Sequence, residues 1–182
     1  PSDLRALMDA ATTLASPPLP QPWPHEGQSQ AEWIAEVGAT RQRHEQWAQA
    51  QTAALAERGA SGGGAPGSES PARSAEAVPV GSVHDVDEGP VRARIYTPPG
   101  DGPFPVVIMI HGGGWWIGGG EHGLAAADIP CRITCLQVGA VVVNVDYRQA
   151  PEHRFPIPLE DCYATAQWVA EHAVELDIDP LI

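Results

Sequence analysis

Two short stretches constrain this chain more than any other feature of its sequence. Val106-Val107-Ile108-Met109-Ile110 carries no polar residue, and Ala140 to Val145 reads as a second strand of the same apolar kind. A strand with one face in water alternates apolar and polar side chains, whereas a strand that does not alternate is covered on both faces. Residues 122–137 between the two read as a helix, and Leu159 to Leu176, opened by Pro158, as another. Buried strands separated by helices predict an α/β fold, a mostly parallel sheet flanked by helices, with a right-handed crossover between the strands. Ahead of them Val91, Ala93 and Ile95 alternate with Arg92, Arg94 and Tyr96, as in a strand with one wet face.

The material for that core lies late in the chain. Leu, Ile, Val and Phe make up 11 of the first 90 residues and 26 of the remaining 92. Residues 3–15 could form a short helix, which Pro17, Pro18, Pro20, Pro22 and Pro24 would stop. A second helix is expected from Ser29, where Ser29 and Glu32 make a capping-box pattern, to about Arg58. Its apolar stripe is too weak for a core of its own. Residues 59–79, rich in Gly, Ser, Pro and Ala, read as a flexible linker. The expected organisation is therefore a helical region at 1–58, a linker at 59–79 and a folded core from 80 to 182.

Composition narrows the function classes. Asp and Glu outnumber Lys and Arg by 23 to 10, a balance that repels phosphate backbones, so nucleic acid is not an expected partner. No run approaches the ~20 apolar residues of a membrane span. The first residues lack a basic-then-apolar leader, so a cytoplasmic location is expected. Cys131, Cys135 and Cys162 lack metal-ligand spacing and read as small buried hydrophobes. His84-Asp85-Val86-Asp87-Glu88 resembles a metal cluster in composition only and reads as a solvated loop, so no metal and no cofactor is expected.

The strongest local signal is His111-Gly112-Gly113-Gly114-Trp115-Trp116, directly after the strand 106–110. Consecutive glycines let the chain turn sharply and present bare N–H groups, which suit a developing negative oxygen. Gly118-Gly119-Gly120-Glu121-His122-Gly123 formally matches a dinucleotide-binding fingerprint, with Asp146 at roughly the interval of a ribose-binding acid. That match fails on context, because seven residues separate the strand from its first glycine. Gly59-Ala60-Ser61-Gly62-Gly63 fits the pattern of a serine nucleophile elbow, but it lies in the expected linker instead of a strained turn between strand and helix. From residue 83 onward there is no serine at all.

The glycine cluster, followed by Asp146-Tyr147-Arg148-Gln149-Ala150-Pro151-Glu152-His153-Arg154-Phe155-Pro156, resembles the hormone-sensitive-lipase branch of the α/β-hydrolases, which includes acetyl esterases and short-chain carboxylesterases. The resemblance is strong from about 91 to 180 and loose over 2–58, where that family carries helices capping the active site. It implies a small-molecule ester substrate and a serine nucleophile with His and Asp as base and orienter. Gly113 and Gly114 would supply oxyanion-hole N–H groups, His111 and Gly112 would shape the loop, and Trp115 and Trp116 could line an acyl pocket or fill a core. Arg148 to Glu152 would be a charged turn closing the sheet edge. Gln149 stands where the family usually has Leu.

None of the Ser/Asp/His triad is expected within these residues, because in relatives the stretch like Asp179-Pro180 leads into the nucleophile strand. The chain is thus expected to be the N-terminal part of such a hydrolase, with an incomplete core and no activity by itself. The strands covering 106–110 and 140–145 would lie beyond it. The alternative is a non-catalytic ligand-binding or interaction module derived from the same fold.

Overall fold

The computed structural model of the chain describes residues 17–18, 24–61 and 78–179. They fall into two compact units, divided between Glu69 and Ser70. The first contains one long helix, α1 (Gln30–Ser61). Its start follows the capping-box pattern: the Ser29 N–H donates to Glu32 Oε2 at 2.8 Å, and the Glu32 N–H donates to Ser29 Oγ at 3.3 Å. Val37 and Thr40 are buried among its described side chains. The helix runs on through Ser61, so the serine of the elbow-like pattern ends a helix. The helix expected at 3–15 and most of the linker expected at 59–79 lie outside the described residues.

The second unit is a four-stranded sheet with helices on both faces. Its elements in chain order are β1 (Ser82–Val86), β2 (Ala93–Thr97), β3 (Val106–Ile110), α2 (Gly120–Val138), β4 (Val141–Val145) and α3 (Ile157–Glu171). The strand order is β1-β2-β4-β3. β3 and β4 pair in parallel, with Ile108 opposite Val143, while β2 runs antiparallel to both β1 and β4. Only the pair joined through α2 is therefore parallel, and the sheet is mixed.

Alternation along the strands sorts the core into two faces. Val141 and Val143 join Ala93 and Ile95 under Val169 and Ala173 on the α3 side. Val142 and Tyr96 meet Cys131 and Cys135 of α2 on the other. The central strand β4 is buried along its whole length, so its apolar faces are covered within the described residues, contrary to the expectation that they are not. β3 is half-buried, and Ile110 at its end is exposed. A single parallel bridge between Phe104 and Ile178 lies just before β3, and beyond it β3 has no second strand neighbour among the described residues.

Four details differ from the sequence reading, each for a local reason. Residues 82–86 form a strand, because Asp85 is drawn onto Arg94 and Arg92 of the neighbouring segment and the main chains pair between them. Tyr96 is fully buried, because α2 covers that end of the face expected to be wet. Arg94, on the same face, reaches Asp85 and Glu121. Asn144 interrupts the apolar run of β4 and is buried with neither end of its amide hydrogen-bonded among the described residues. Finally, α3 stops at Glu171 and the chain turns through residues 172–177, with Asp177 in the left-handed region at φ 54°.

Candidate functional site

The site is built at the C-terminal end of β3, where open α/β sheets hold their ligands. Three consecutive residues take positive φ: Gly113 at 118°, Gly114 at 60° and Trp115 at 67°. Gly113 has no alternative to glycine, since a Cβ there would run into the Ile117 carbonyl. A tryptophan in the left-handed region costs about 1–2 kcal/mol, so the surroundings must hold it there. The turn closes through the N–H groups of Trp116 and Ile117, both donating to the Gly113 carbonyl at 3.3 Å. Gly113 and Gly114 are exposed, and among the described residues their N–H groups have no protein acceptor. Two neighbouring exposed residues thus carry main-chain donors without a protein acceptor among the described residues.

The residues after β4 hold this turn from behind. The Tyr147 ring is buried among Val145, Cys162, Val91 and Ile108. It stacks on His111, with centroids 4.2 Å apart and planes 11° from parallel, and leans against Trp115 at 5.1 Å. Its hydroxyl donates to the His111 carbonyl at 2.9 Å. Burial pushes the Tyr147 phenol up, so it keeps its proton at neutral pH and remains a donor. The Ala150 N–H donates to the Trp115 carbonyl, also at 2.9 Å. His111 Nδ1 lies 2.7 Å from the Gly112 carbonyl oxygen, which can only accept, so the ring proton sits on Nδ1. Nε2 is then buried without a protein partner among the described residues.

Two carboxylates fix the bracing segment in turn. Asp146 Oδ1 accepts the Gly120 N–H at 2.6 Å at the start of α2, where a negative group is favoured. The acid that spacing alone could place on a ribose is therefore committed to a helix end. Asp161 of α3 is buried and takes three hydrogen bonds from Arg148: from its N–H at 3.0 Å, Nε at 2.9 Å and Nη2 at 2.6 Å. Burial acts to raise the Asp161 carboxyl, but the bonds from Arg148 outweigh it and leave the group below its usual range. The stretch after Asp146, expected to close a sheet edge, is structural in another sense: it props the glycine turn.

Of the residues singled out in the sequence, His111, Gly112, Gly113, Gly114 and Trp115 come together here. Trp115 is 44% exposed and Trp116 is half-buried, and neither belongs to the buried core. Sequence reasoning gave no role to Tyr147 or Asp161. Asp161 was findable, because it falls with Pro158, Cys162, Thr165 and Val169 on the buried stripe of α3, where an acid needs a partner. A separate polar hollow of about 430 Å³, lined by Val83, His84, Asp85, Arg94, Asp128 and Arg132, lies between β1 and α2. Both of its arginines are already paired with acids, Arg94 with Asp85 and Arg132 with Asp128.

Comparison with known proteins fits this geometry. Residues 107–181, from β3 to just past the Phe104–Ile178 bridge, match the family model described as alpha/beta hydrolase fold. This sheet has the α/β-hydrolase fold. The carboxylic ester hydrolase LipN of Mycobacterium tuberculosis is 41% identical over 106 residues, which is 54% of this chain and 27% of that protein. The arylesterase of Saccharolobus solfataricus is 34% identical over 105 residues, or 56% of this chain and 33% of its own length. Among solved structures, the hyperthermophilic esterase of the archaeon Pyrobaculum calidifontis is similar with a TM-score of 0.57 at 33% identity, over 79% of this chain and 40% of its own. The chain spans about a quarter to two fifths of the length of these relatives.

Proposed function

We propose that this chain is the part of a carboxylic-ester hydrolase that supplies the oxyanion hole, and that its nucleophile comes from outside these 182 residues. The observation that carries the reading is the pair of N–H groups on exposed Gly113 and Gly114, without a protein acceptor among the described residues and held in a left-handed turn at the end of a core strand. The named esterase relatives support the reaction class. In the proposed reaction a serine hydroxyl gives its proton to a histidine base, both from outside these residues, as its oxygen adds to the ester carbonyl; the carbonyl π pair moves onto the oxygen, which becomes negative as the centre turns tetrahedral. The Gly113 and Gly114 N–H groups donate to that oxygen, joined by a third N–H from the residue after the serine. His111 and Gly112 shape the loop. The exposed face of Trp115, with Trp116 beside it, offers an apolar wall to the acyl group.

The test uses 4-nitrophenyl acetate. The 182-residue chain alone is expected to give no turnover above buffer, since residues 83–182 hold no serine. Joined to the C-terminal two thirds of the Mycobacterium tuberculosis LipN, it should hydrolyse the ester. Gly113→Ala in that chimera should lower kcat about 10²-fold or more with little change in KM. Serine-dependent turnover by the 182 residues alone would remove the proposed placement of the nucleophile. An active chimera indifferent to Gly113→Ala would remove the oxyanion role.

A further inference from the structure

We propose that Tyr147 is a positioning residue that sets the direction of the Gly113 N–H by acting through His111. The inference rests on the reading of that N–H as an oxyanion donor, but its geometry stands on its own. A trans peptide unit is planar, with its C=O and N–H pointing in opposite directions. The Gly112 carbonyl and the Gly113 N–H belong to one such plane. Whatever holds the carbonyl therefore aims the N–H, and the carbonyl is held by His111 Nδ1 at 2.7 Å.

The His111 ring can do this only if it is itself held. It lies flat against Tyr147 at 4.2 Å, and the Tyr147 hydroxyl grips the His111 carbonyl at 2.9 Å, so ring and main chain of His111 are fixed by one side chain. Tyr147 in turn is only 3% exposed and packed in the core. The order of dependence runs from core to Tyr147, to the His111 ring, to the Gly112 carbonyl, to the Gly113 N–H. Glycine has the greatest main-chain freedom of any residue, so three in a row keep a fixed donor direction only under such restraint. The Ala150 N–H on the Trp115 carbonyl secures the far end of the same turn.

The test is ¹⁵N NMR on the 182-residue chain without ligand, which keeps it independent of any role in ester hydrolysis. Tyr147→Phe retains both ring contacts and loses only the hydroxyl. His111→Phe retains the stack and loses the bond to Gly112. Each should move the Gly113 amide resonance and lower its order parameter from about 0.85 to below about 0.6. Gly139, whose N–H donates to the Cys135 carbonyl at the end of α2, should stay unchanged. Val169→Ala, a core change on α3 away from the loop, should lower the melting temperature yet leave Gly113 where it was. A Gly113 amide unmoved by Tyr147→Phe, or moved equally by Val169→Ala, would overturn the proposal. Neither result bears on the oxyanion reading, which the chimera's dependence on Gly113 decides.

Discussion

Asp161→Asn is the substitution that asks most of the bracing segment. The carboxylate accepts three donors from Arg148, and the substitution keeps its volume while turning one acceptor oxygen into an NH₂ group that faces a guanidinium. At least one charge-assisted bond is lost, each worth about 1.5–3 kcal/mol. The Arg148 side chain is 50% exposed and regains water, which holds the total to about 2–3 kcal/mol. For a folding unit of this size that lowers the melting temperature by roughly 10–20 °C, measured by circular dichroism at pH 7. Arg148→Met should cost more, about 3–5 kcal/mol, because it strands a buried charge where Asp161→Asn strands a half-exposed one. The dependence on pH has a definite sign. The folded carboxyl titrates below its unfolded value of about 3.9, so its contribution is complete above that pH and is lost as pH falls through the folded value. The gap between the native chain and Asp161→Asn should therefore close on acidification below about pH 4. Asp85, also held low by Arg94 and Arg92, is common to both proteins and cancels in the comparison. A variant melting within about 2 °C of the native chain at pH 7, or a gap unchanged down to pH 2, would refute the reasoning.

Other outcomes follow from single features. Asn144→Val removes a buried amide with neither end hydrogen-bonded among the described residues, and Gln149→Leu removes a buried Nε2 without a partner there; each should raise stability in urea by about 1 kcal/mol. Burial pushes the Cys131 thiol up to about 11, so Cys131 should resist iodoacetamide at pH 8 in the folded chain and be alkylated once urea is added, as read by mass spectrometry. The open side of β3 ends in exposed Ile110 and invites pairing with another chain. Ile110→Lys should therefore shift the sedimentation profile toward monomer, and an unchanged profile would show that this edge does not drive association.

The fold class was legible because two runs of apolar residues leave a sheet few options, and β3 and β4 lie where those runs lie. The start of α1 was legible for an equally local reason: Ser29 and Glu32 satisfy each other three residues apart. β1 was not legible, since its alternation is hidden under charges whose partners, Arg94 on the next strand and Arg92 just before it, are distant in the sequence pattern. Tyr96 was misread because alternation says which residues share a face but not whether a helix covers it. At the site, the glycine run announced bare N–H groups, while the residues that aim them did not announce themselves. Tyr147 is 36 residues from His111, and no periodicity links a side chain to a carbonyl across that separation.

The donors at the end of β3 are main-chain atoms, so replacing a side chain at Gly113 or Gly114 can distort them but cannot delete them. Genetic drift would therefore reach the proposed oxyanion chemistry mainly by indirect routes, through Tyr147, His111, Arg148 and Asp161. A screen for loss of function should find its hits among residues that never meet a substrate. A search for suppressors should find them along the same path, in second changes that restore the prop without returning the original side chain.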